Sequence, residues 1–184
     1  DPHIFERIQL VKRKGFKNLG FATNADLLDE DKQKRLLESG VDTVIFGIEG
    51  IDKETHESIR RGTNFERVVG NCASIIKLRN DGDYKTRFVI RFVRQDRNRS
   101  QWEEYVRFWK ERISPERRDF ITSYDVHTWG GQVSAKSEVV KDGKIEEIER
   151  QPCDVIFDIL YILCDGSVPL CHEDWLHANY NFGN

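Results

Sequence analysis

The sequence predicts an α/β fold: a partial (β/α) barrel of parallel strands, followed by the start of a small cysteine-bearing β-hairpin domain. Three observations support this prediction. Helices and strands alternate over the first 127 residues, each strand has one bulky apolar and one small or polar face, and three of the four cysteines fall within residues 153–171. Strands that alternate with helices of about ten to fifteen residues are typical of parallel sheets with right-handed crossovers.

The elements follow one another in a regular order. The segment PHIFERIQLVKRKG has apolar residues at helical spacing and ends in a glycine, so it is predicted as a helix, and NLGFATN follows as a strand. The helix DEDKQKRLLESG leads into the strand DTVIFGIEG. Next come KETHESIRRG and a longer helix from Phe65, with a predicted capping box of Thr63 and Glu66. The third strand is KTRFVIRFVR. The helix that follows it, SQWEEYVRFWKER, is predicted to be capped by Ser100 with Glu103. The fourth strand is RDFITSYDVH.

The two faces of the strands decide between an open sheet and a barrel. In the third strand, Phe88, Ile90 and Phe92 share one face, and the alternate positions carry arginines and valines. A sheet covered by helices on both faces should be apolar on both. One apolar and one polar face therefore predict a curved sheet with helices only outside and a wet lumen inside. In the fourth strand, the same alternation predicts Phe120 and Tyr124 on the helix-covered face.

A candidate site lies at the carboxyl ends of these strands, where barrel enzymes hold their functional residues. Each strand contributes one polar residue to the predicted lumen: Asn24, Glu49, Arg91 and His127. A solvated strand end explains any one of them equally well. Four such residues from four strands on one face favour a binding site.

The composition excludes several classes of function. The net charge is −3, with acidic and basic residues interspersed, so nothing indicates a nucleic-acid partner or a membrane surface. The longest apolar runs, TVIFGI and DILYILC, are far too short to span a bilayer. Four cysteines without a secretion signal favour a reducing compartment, and we expect a cytoplasmic protein. Cys72 lies at a helical core position and is predicted to fill the core.

The other cysteines follow residues 132–152, which are polar and aperiodic and are predicted to be a linker or an exposed hairpin. In ILYILCDGSVPLC, the dipeptide DG is a favoured two-residue turn between β-rich runs, which predicts a hairpin with Cys164 opposite Ser167. On that hairpin Cys164 and Cys171 would lie roughly 13 Å apart, which is too far for a disulfide or for an undistorted shared metal site. Cys153 is therefore the predicted partner of Cys171.

This region makes the chain recognisable. Cys153, twelve residues, Gly166, four residues and Cys171 match the first half of the C-x(9–15)-G-x4-C signature of the SPASM domain, an auxiliary iron–sulfur module behind radical S-adenosylmethionine (SAM) barrels. GFATNADLL, FGIEGIDKETHESIRRGTNFERVV and HTWGG resemble the third, fourth and last barrel strands of that family. CHEDWLHANYNFGN resembles the sequence after the second SPASM cysteine. Together and in this order, these segments resemble a radical SAM/SPASM enzyme.

The resemblance implies the domains, the chemistry and the cofactors. Residues 1–131 would be the C-terminal two-thirds of a radical SAM (β/α)6 partial barrel, and residues 153–184 the N-terminal half of a SPASM domain. In the family, a reduced [4Fe–4S] cluster cleaves SAM to a 5′-deoxyadenosyl radical, which abstracts hydrogen from a peptide or small-molecule substrate. An electron donor such as flavodoxin or ferredoxin would reduce the cluster. Nothing in the sequence selects the substrate.

The same resemblance suggests roles for the candidate residues. Arg91 would bind an anionic group such as the methionyl carboxylate of SAM, because a guanidinium fork suits carboxylates. Asn24 and His127 would form hydrogen bonds in the pocket. Glu49 would accept a hydrogen bond from a ribose hydroxyl or a substrate amine.

The sequence also departs from the family. It has no CxxxCxxC loop, which holds the radical-generating cluster, so the chain looks like the middle of such an enzyme, cut at both ends. We expect that this polypeptide alone does not cleave SAM. Gly47 stands where the family usually has serine, and Glu49 stands where it usually has aspartate. Cys153 and Cys171, as thiolates, would hold an auxiliary cluster, although the later SPASM cysteines are missing.

Two other hypotheses stay open at this point. A non-catalytic scaffold domain would bind zinc through Cys153, Cys171 and His172, although zinc sites usually have tighter CxxC-type spacing. An ordinary (β/α) enzyme would keep the barrel and have incidental cysteines. The colour of the anaerobically purified protein separates both from an iron–sulfur enzyme.

Overall fold

The chain divides into two compact units, Asp1–Asp125 and Val126–Asn184. The residues that the computed structural model describes are 1–126, 140–141, 144–145, 153–174 and 180–183. None of the helices among these residues is long and apolar enough to cross a membrane. His127 and most of the predicted linker lie outside the described residues.

The first unit, Asp1–Asp125, alternates helices and strands as predicted. Its helices are α1 (Ile4–Arg13), α2 (Glu30–Glu38), α3 (Lys53–Ile59), α4 (Phe65–Asp81) and α5 (Trp102–Lys110). Its strands are β1 (Gly20–Thr23), β2 (Thr43–Gly47), β3 (Arg87–Arg94) and β4 (Phe120–Asp125). They form one sheet in the order β1-β2-β3-β4, and every neighbouring pair is parallel. The predicted α/β fold is therefore confirmed.

One face of this sheet, which we call the helix face, is apolar and buried. Its central residues have no exposed surface: Val44, Phe46, Phe88, Ile90 and Phe92. They form one core with the buried residues of the helices. The rings of Phe92 and Tyr105 in α5, for example, have centroids 4.5 Å apart. The predicted orientation of the apolar β3 side chains toward the helices is confirmed.

The opposite face, which we call the open face, carries the alternate positions of the strands. They include Ala22, Ile45, Gly47, Arg87, Val89, Arg91, Phe120, Thr122 and Tyr124. The face assignment predicted for β4 is wrong, because Phe120 lies beside Val89 and Thr122 beside Arg91. Phe120 is 43% and Tyr124 51% exposed. The apolar pattern misleads in β4 because this strand lies at the edge of the sheet. There the burial of a large side chain changes little between one face and the other.

The helices α4 and α5 do not begin with the predicted caps, and of the two only α4 has a side-chain cap. α4 begins after Asn64, whose Oδ1 accepts the N–H of Arg67 at 2.8 Å. Thr63 instead donates its hydroxyl to the carbonyl of Arg60. Asparagine ranks above threonine as a helix cap, which explains the choice between adjacent candidates. α5 begins after a short 3-10 helix that contains Ser100.

The long helix α4 supplies much of the cover over the helix face. Its buried residues recur at helical spacing: Val68, Cys72, Ile75, Ile76 and Arg79. Cys72 is fully buried, and burial raises the pKa of its thiol well above the usual range. The prediction that Cys72 fills the core is confirmed.

A buried ion pair joins α4 to the segment that precedes β4. The side chains of Arg79 and Asp119 are both 0% exposed and share hydrogen bonds of 2.9 and 2.5 Å. The Asp119 carboxylate also accepts the N–H groups of Phe88 and Ser114, at 2.8 and 2.9 Å. Arg79 also donates to the carbonyl of Thr86 at 2.9 Å. The pair therefore ties α4, β3 and the approach to β4 together.

The second unit, Val126–Asn184, is built from short elements in its described part. The strands β5 (Val140–Lys141) and β6 (Lys144–Ile145) pair antiparallel. The helix α6 covers Val155–Asp158. An antiparallel bridge joins Pro169 to Asn181.

The predicted turn in this unit is present but is one residue longer than expected. The Gly166 N–H donates to the Leu163 carbonyl at 3.0 Å, and the Leu163 N–H donates to the Ser167 carbonyl at 2.9 Å. The loop therefore has Leu163, rather than Cys164, opposite Ser167. Gly166 has a φ of 90°, and a residue with positive φ at the end of a three-residue loop is typical of such hairpins.

Candidate functional site

Three of the four predicted site residues lie at the carboxyl edge of the sheet. Arg91 is the cross-strand neighbour of Gly47. Glu49 follows two residues after Gly47, and Asn24 directly follows β1. Because the strands are parallel, their carboxyl ends meet at one edge, where ligands bind in open α/β sheets. His127, the fourth predicted residue, lies outside the described residues.

Asn24 begins a tight turn between β1 and α2. Its Oδ1 accepts the N–H of Asp26 at 3.2 Å, and the hydroxyl of Thr23 accepts the N–H of Ala25 at 3.1 Å. Ala25 has a φ of 61°, a conformation in which glycine is usual. The Ala25 carbonyl accepts a hydrogen bond from Asn71 of α4 at 2.8 Å. The turn is thereby fixed, while the side-chain N–H groups of Asn24 have no partner among the described residues.

Asp26 anchors the same turn to α4. Arg67 donates to both carboxylate oxygens, with bonds of 2.7–3.1 Å, and the N–H of Asn64 adds a bond of 2.9 Å. The hydrogen bonds from Arg67 are the largest cause that holds the pKa of Asp26 below its usual range. Asp26 therefore stays ionised and serves as an anchor.

Glu49 is held at every polar group that it has. Its Oε1 accepts from Arg60 and its Oε2 from the N–H of Val93, both at 2.6 Å. Its N–H donates to Nδ1 of His56 at 3.2 Å, and its carbonyl accepts from Asn98 at 3.1 Å. The residue is 1% exposed. Glu49 lies where the sequence predicts, but its carboxylate is occupied inside the protein.

Gly47 makes room for the guanidinium group of Arg60. A Cβ atom at Gly47 would lie 2.5 Å from Nη2 and 3.2 Å from Cζ of Arg60. Arg60 comes from the end of α3, and its side chain is 33% exposed. The guanidinium therefore lies on the open face, directly above the strand position beside Arg91.

His56 holds the backbone of Glu49 from inside α3. The imidazole is fully buried, and its ring centroid lies 5.5 Å from that of Phe65. Burial is the main cause that lowers the pKa of His56, and the nearby Arg60 lowers it further. Because Nδ1 accepts the Glu49 N–H, the neutral ring carries its proton on Nε2, which has no partner among the described residues.

Two amide side chains brace the loops at this edge. Asn98 donates to the carbonyl groups of Glu49 and Val93, at 3.1 and 3.0 Å, and thus joins the ends of β2 and β3. The Oε1 of Gln101 accepts the N–H of Ile51 at 3.1 Å. The loop after β2 is therefore held from two sides.

Arg91 is the predicted cation of the site. It lies on the open face between Gly47 and Thr122. Its Nε is excluded from solvent and has no hydrogen-bond partner among the described residues. The Nε atoms of Arg87 and Arg94 are also excluded from solvent without a partner. Their guanidinium groups nevertheless donate through Nη2, to the hydroxyl of Thr43 and to Asp125, both at 3.1 Å, whereas the Arg91 guanidinium has no partner among the described residues. Arg91 is therefore a partly buried guanidinium that can bind an oxyanion by donating hydrogen bonds to it.

The charge of this region is positive. The open-face positions include Arg87 and Arg91 and no acidic residue. Glu49, just beyond β2, is neutralised by Arg60. A ligand with a carboxylate or another oxyanion therefore suits this edge better than a simple cation does.

The second unit contains the two predicted cysteine ligands, Cys153 and Cys171, and a third cysteine, Cys164. Cys153 and Cys164 are exposed, and Cys171 is half-buried. The sulfur of Cys171 accepts the N–H of Glu173 at 3.4 Å. In the described part of the chain, no group of three or more histidine, cysteine, aspartate or glutamate side chains could hold a metal ion.

Sequence reasoning missed Arg60, His56 and Asn98. Arg60 and His56 lie four residues apart in THESIR, which places them on one side of α3. That spacing, with the small Gly47 before Glu49, was the available signal. Asn98 gave no signal, because an asparagine in a polar loop has many explanations.

Comparison with known proteins identifies the family. The profile of the Radical SAM superfamily matches residues 1–108. None of the curated protein sequences matches the chain. A solved structure, a domain of pyruvate-formate lyase-activating enzyme from Bacteroides vulgatus ATCC 8482, is similar with a TM-score of 0.44 and 10% identity. That match covers 57% of this chain and 63% of the other, so it spans less than two thirds of that structure. Because the family profile covers more than half of the chain, the chain belongs to the Radical SAM superfamily.

Proposed function

We propose that this chain is part of a radical SAM enzyme that binds SAM at the carboxyl edge of its sheet. Its substrate is a peptide or a small molecule. When bound, a reduced [4Fe–4S] cluster and SAM supply a 5′-deoxyadenosyl radical that abstracts hydrogen from the substrate. An electron donor such as flavodoxin or ferredoxin would supply the electron for this cluster. Membership of the superfamily supports this chemistry.

The observation that carries the proposal is the guanidinium of Arg91, which, unlike those of Arg87 and Arg94, has no hydrogen-bond partner at any nitrogen among the described residues, and whose Nε is buried. A buried N–H group without an acceptor costs roughly 1–3 kcal/mol. A bound carboxylate removes that cost and pairs with the guanidinium charge. The methionyl carboxylate of SAM has the required charge and planar shape, so the residues at this edge fit SAM.

The other predicted residues take supporting roles in the proposal. Asn24 donates a hydrogen bond to the ligand from its unpartnered side-chain N–H groups. In this proposal Glu49 does not contact the ribose or a substrate amine, because its side chain is 1% exposed and its carboxylate accepts from Arg60 and Val93. We assign it the role of positioning Arg60. His127 stays a proposed hydrogen-bonding residue of the pocket.

The cluster that reduces SAM needs ligands that this sequence does not contain. No CxxxCxxC loop occurs in the 184 residues. We therefore expect no 5′-deoxyadenosine from this polypeptide alone, even after iron–sulfur reconstitution under reducing conditions. Release of 5′-deoxyadenosine from the purified chain would contradict this part of the proposal.

We propose further that residues 132–152 are a linker and that residues 153–184 begin a SPASM domain, with Cys153 and Cys171 as cluster ligands. The spacing of the two cysteines around a turn glycine supports this assignment. The N–H of Glu173 that points at the Cys171 sulfur supports it too, because hydrogen bonds to ligand sulfurs are a common feature of iron–sulfur sites. Zinc bound after anaerobic reconstitution, instead of iron and sulfide, would favour a scaffold domain.

The binding of SAM tests the main proposal. Equilibrium dialysis with radiolabelled SAM should detect binding to the protein, and Arg91→Met should weaken it about tenfold or more. Arg94→Met is the matched control, because Arg94 lies in the same strand but pairs with Asp125 at 3.1 Å. Equal affinity of the Arg91→Met and Arg94→Met proteins would remove Arg91 from the site.

A further inference from the structure

We infer that three exposed arginines next to the candidate site, Arg61, Arg97 and Arg99, bind acidic side chains of a peptide substrate. We call these three residues the arginine rim. All three are exposed, and two of them lie in the loop that follows β3. The inference rests on the proposed function, because it names the class of substrate for the same enzyme: a peptide with glutamate or aspartate near the residue that reacts.

The arginine rim extends over the ends of two elements. The Arg99 guanidinium lies 3.9 Å from the Asp125 carboxylate, at the end of β4. Arg97 reaches α3, where its Nη1 lies 3.5 Å from the carbonyl of Ser58. Arg61 follows the same end of α3. A row of cations that spans two elements suits an extended chain of several residues better than one small anion.

The backbone holds this loop in place before any ligand binds. Asn98, between Arg97 and Arg99, is fully buried, and its Oδ1 accepts the N–H of Gln95 at 2.7 Å. The carbonyl of Gln95 accepts the N–H groups of Asn98 and Arg99, at 3.1 and 2.9 Å. The amide of Asn98 also donates to carbonyl groups at the ends of β2 and β3. A loop that is already ordered loses little entropy when it binds.

The protein leaves most of the charge of the rim unpaired. In the described part of the chain, neither Arg61 nor Arg97 forms an ion pair. The Asp125 carboxylate is 3.1 Å from Arg94 but 3.9 Å from Arg99, so Arg94 takes most of its charge. The three guanidinium groups of the rim therefore have donors and charge available for carboxylates.

The charge of the whole chain limits the kind of anion that fits. The net charge is −3, and the loop of the rim itself contains one exposed acidic residue, Asp96. A long polyanion such as a nucleic acid would meet negative charge beyond the rim and be repelled. A short acidic segment meets only the local excess of positive charge.

The position of the rim favours a substrate as the partner. Ligands of parallel α/β sheets bind at the carboxyl ends of the strands, and the loop of the rim begins at the carboxyl end of β3. A peptide whose reacting residue enters this edge leaves its neighbouring residues outside, next to the rim. Carboxylates on those residues accept charge-assisted hydrogen bonds from the guanidinium groups, so the site prefers acidic peptides to neutral ones.

Two labelled peptides that differ only in charge test this inference. Fluorescence anisotropy should be measured for the full chain with a glutamate-rich peptide and with one that has glutamine in place of every glutamate. At about 0.05 M NaCl the acidic peptide should bind about tenfold more tightly, and at about 0.3 M NaCl this preference should fall to about threefold or less.

A double variant locates the effect in the rim. Arg97→Gln combined with Arg99→Gln should weaken the binding of the acidic peptide about fivefold and that of the neutral peptide less than about twofold. Arg13→Gln combined with Lys14→Gln is the matched control. It removes the same charge from exposed positions at the end of α1, which leads into the opposite edge of the sheet.

The outcomes separate the inference from the proposed function. A selective loss for the acidic peptide in the rim variant, with the control unchanged, supports the inference. Equal binding of the two peptides, or an acidic preference that persists in the rim variant, overturns it. Dialysis of the same samples with labelled SAM tests the proposed function independently: SAM binding without a peptide preference overturns the inference alone, and no SAM binding overturns the proposed function.

Two further measurements keep the result unambiguous. A ferredoxin, which is an acidic protein, should be titrated in parallel. If the rim variant loses ferredoxin binding but keeps the acidic preference, the rim serves the electron donor and the inference is overturned. Urea denaturation checks that the rim variant is folded; if it is not, the unaltered protein decides, and an acidic preference that does not fall with salt overturns the inference.

Discussion

Removing the charge of Asp119 should destabilise the first unit strongly. Asp119→Asn keeps the size of the side chain but leaves the Arg79 guanidinium buried without a counter-charge. The carboxylate accepts four N–H groups, two from Arg79 and one each from Phe88 and Ser114. The asparagine amide has a single oxygen that can accept hydrogen bonds from these donors. Its own N–H groups would face the remaining donors, with which they cannot form hydrogen bonds.

Breaking a buried ion pair on one side costs about 3–5 kcal/mol, a large part of the roughly 5–15 kcal/mol that stabilises a typical domain. Urea denaturation at pH 7, followed by far-UV circular dichroism, measures the loss. Asp81→Asn is the matched control. Asp81 pairs with Lys77 on the exposed side of α4, the helix that also carries Arg79, and such a pair contributes about 0.3–0.5 kcal/mol.

A double variant isolates the interaction between the two residues. Arg79→Met combined with Asp119→Asn should lose less free energy of unfolding than the sum of the two single losses, because neither charge is then left alone. A loss for Asp119→Asn no larger than that for Asp81→Asn would refute the reasoning. Strict additivity in the double variant would refute it independently.

Three further predictions follow from single residues. Burial lowers the pKa of His56, so as the pH falls this imidazole is protonated in the unfolded chain before it is protonated in the folded one. The free energy of unfolding should therefore decrease below pH ~6.5, by at most about 1.4 kcal/mol per pH unit. If His56→Asn leaves the slope of urea stability against pH unchanged, this prediction is wrong. Iodoacetamide should modify the exposed Cys153 and Cys164 in the folded protein and leave Cys72 unmodified until it unfolds, because the Cys72 thiol is buried with a raised pKa; peptide mass mapping decides, and early labelling of Cys72 would be the contrary result. Arg118 is exposed with a φ of 67°, so Arg118→Gly should stabilise the first unit by about 0.5–1 kcal/mol, the strain of about 1–2 kcal/mol less the entropy cost of glycine; a lower melting temperature would count against it.

Hydrophobic periodicity was enough to predict the order of helices and strands in the first unit. The pattern of β3 also identified its faces, because Phe88, Ile90 and Phe92 are central and fully buried. The same argument failed in β4, where Phe120 and Tyr124 lie on the open face. Periodicity reports burial, and it loses its meaning where a strand is only partly covered.

The candidate site was predictable in place but not in composition. Parallel strands end at one edge, so Asn24, Glu49 and Arg91 could be located from the sequence. Arg60 could not, because its position depends on a long side chain that crosses from α3 to the surface above Gly47. Such a contact between elements depends on tertiary packing, and the spacing of His56 and Arg60 does not by itself reveal it.

The order of the strands has a consequence for how the protein is made. In the first unit every strand after β1 pairs with the strand that precedes it in the chain. Domains synthesised from the N-terminus fold as their segments leave the ribosome, and local pairings form faster than distant ones. Each strand after β1 therefore leaves the ribosome when the strand that it pairs with is already in place.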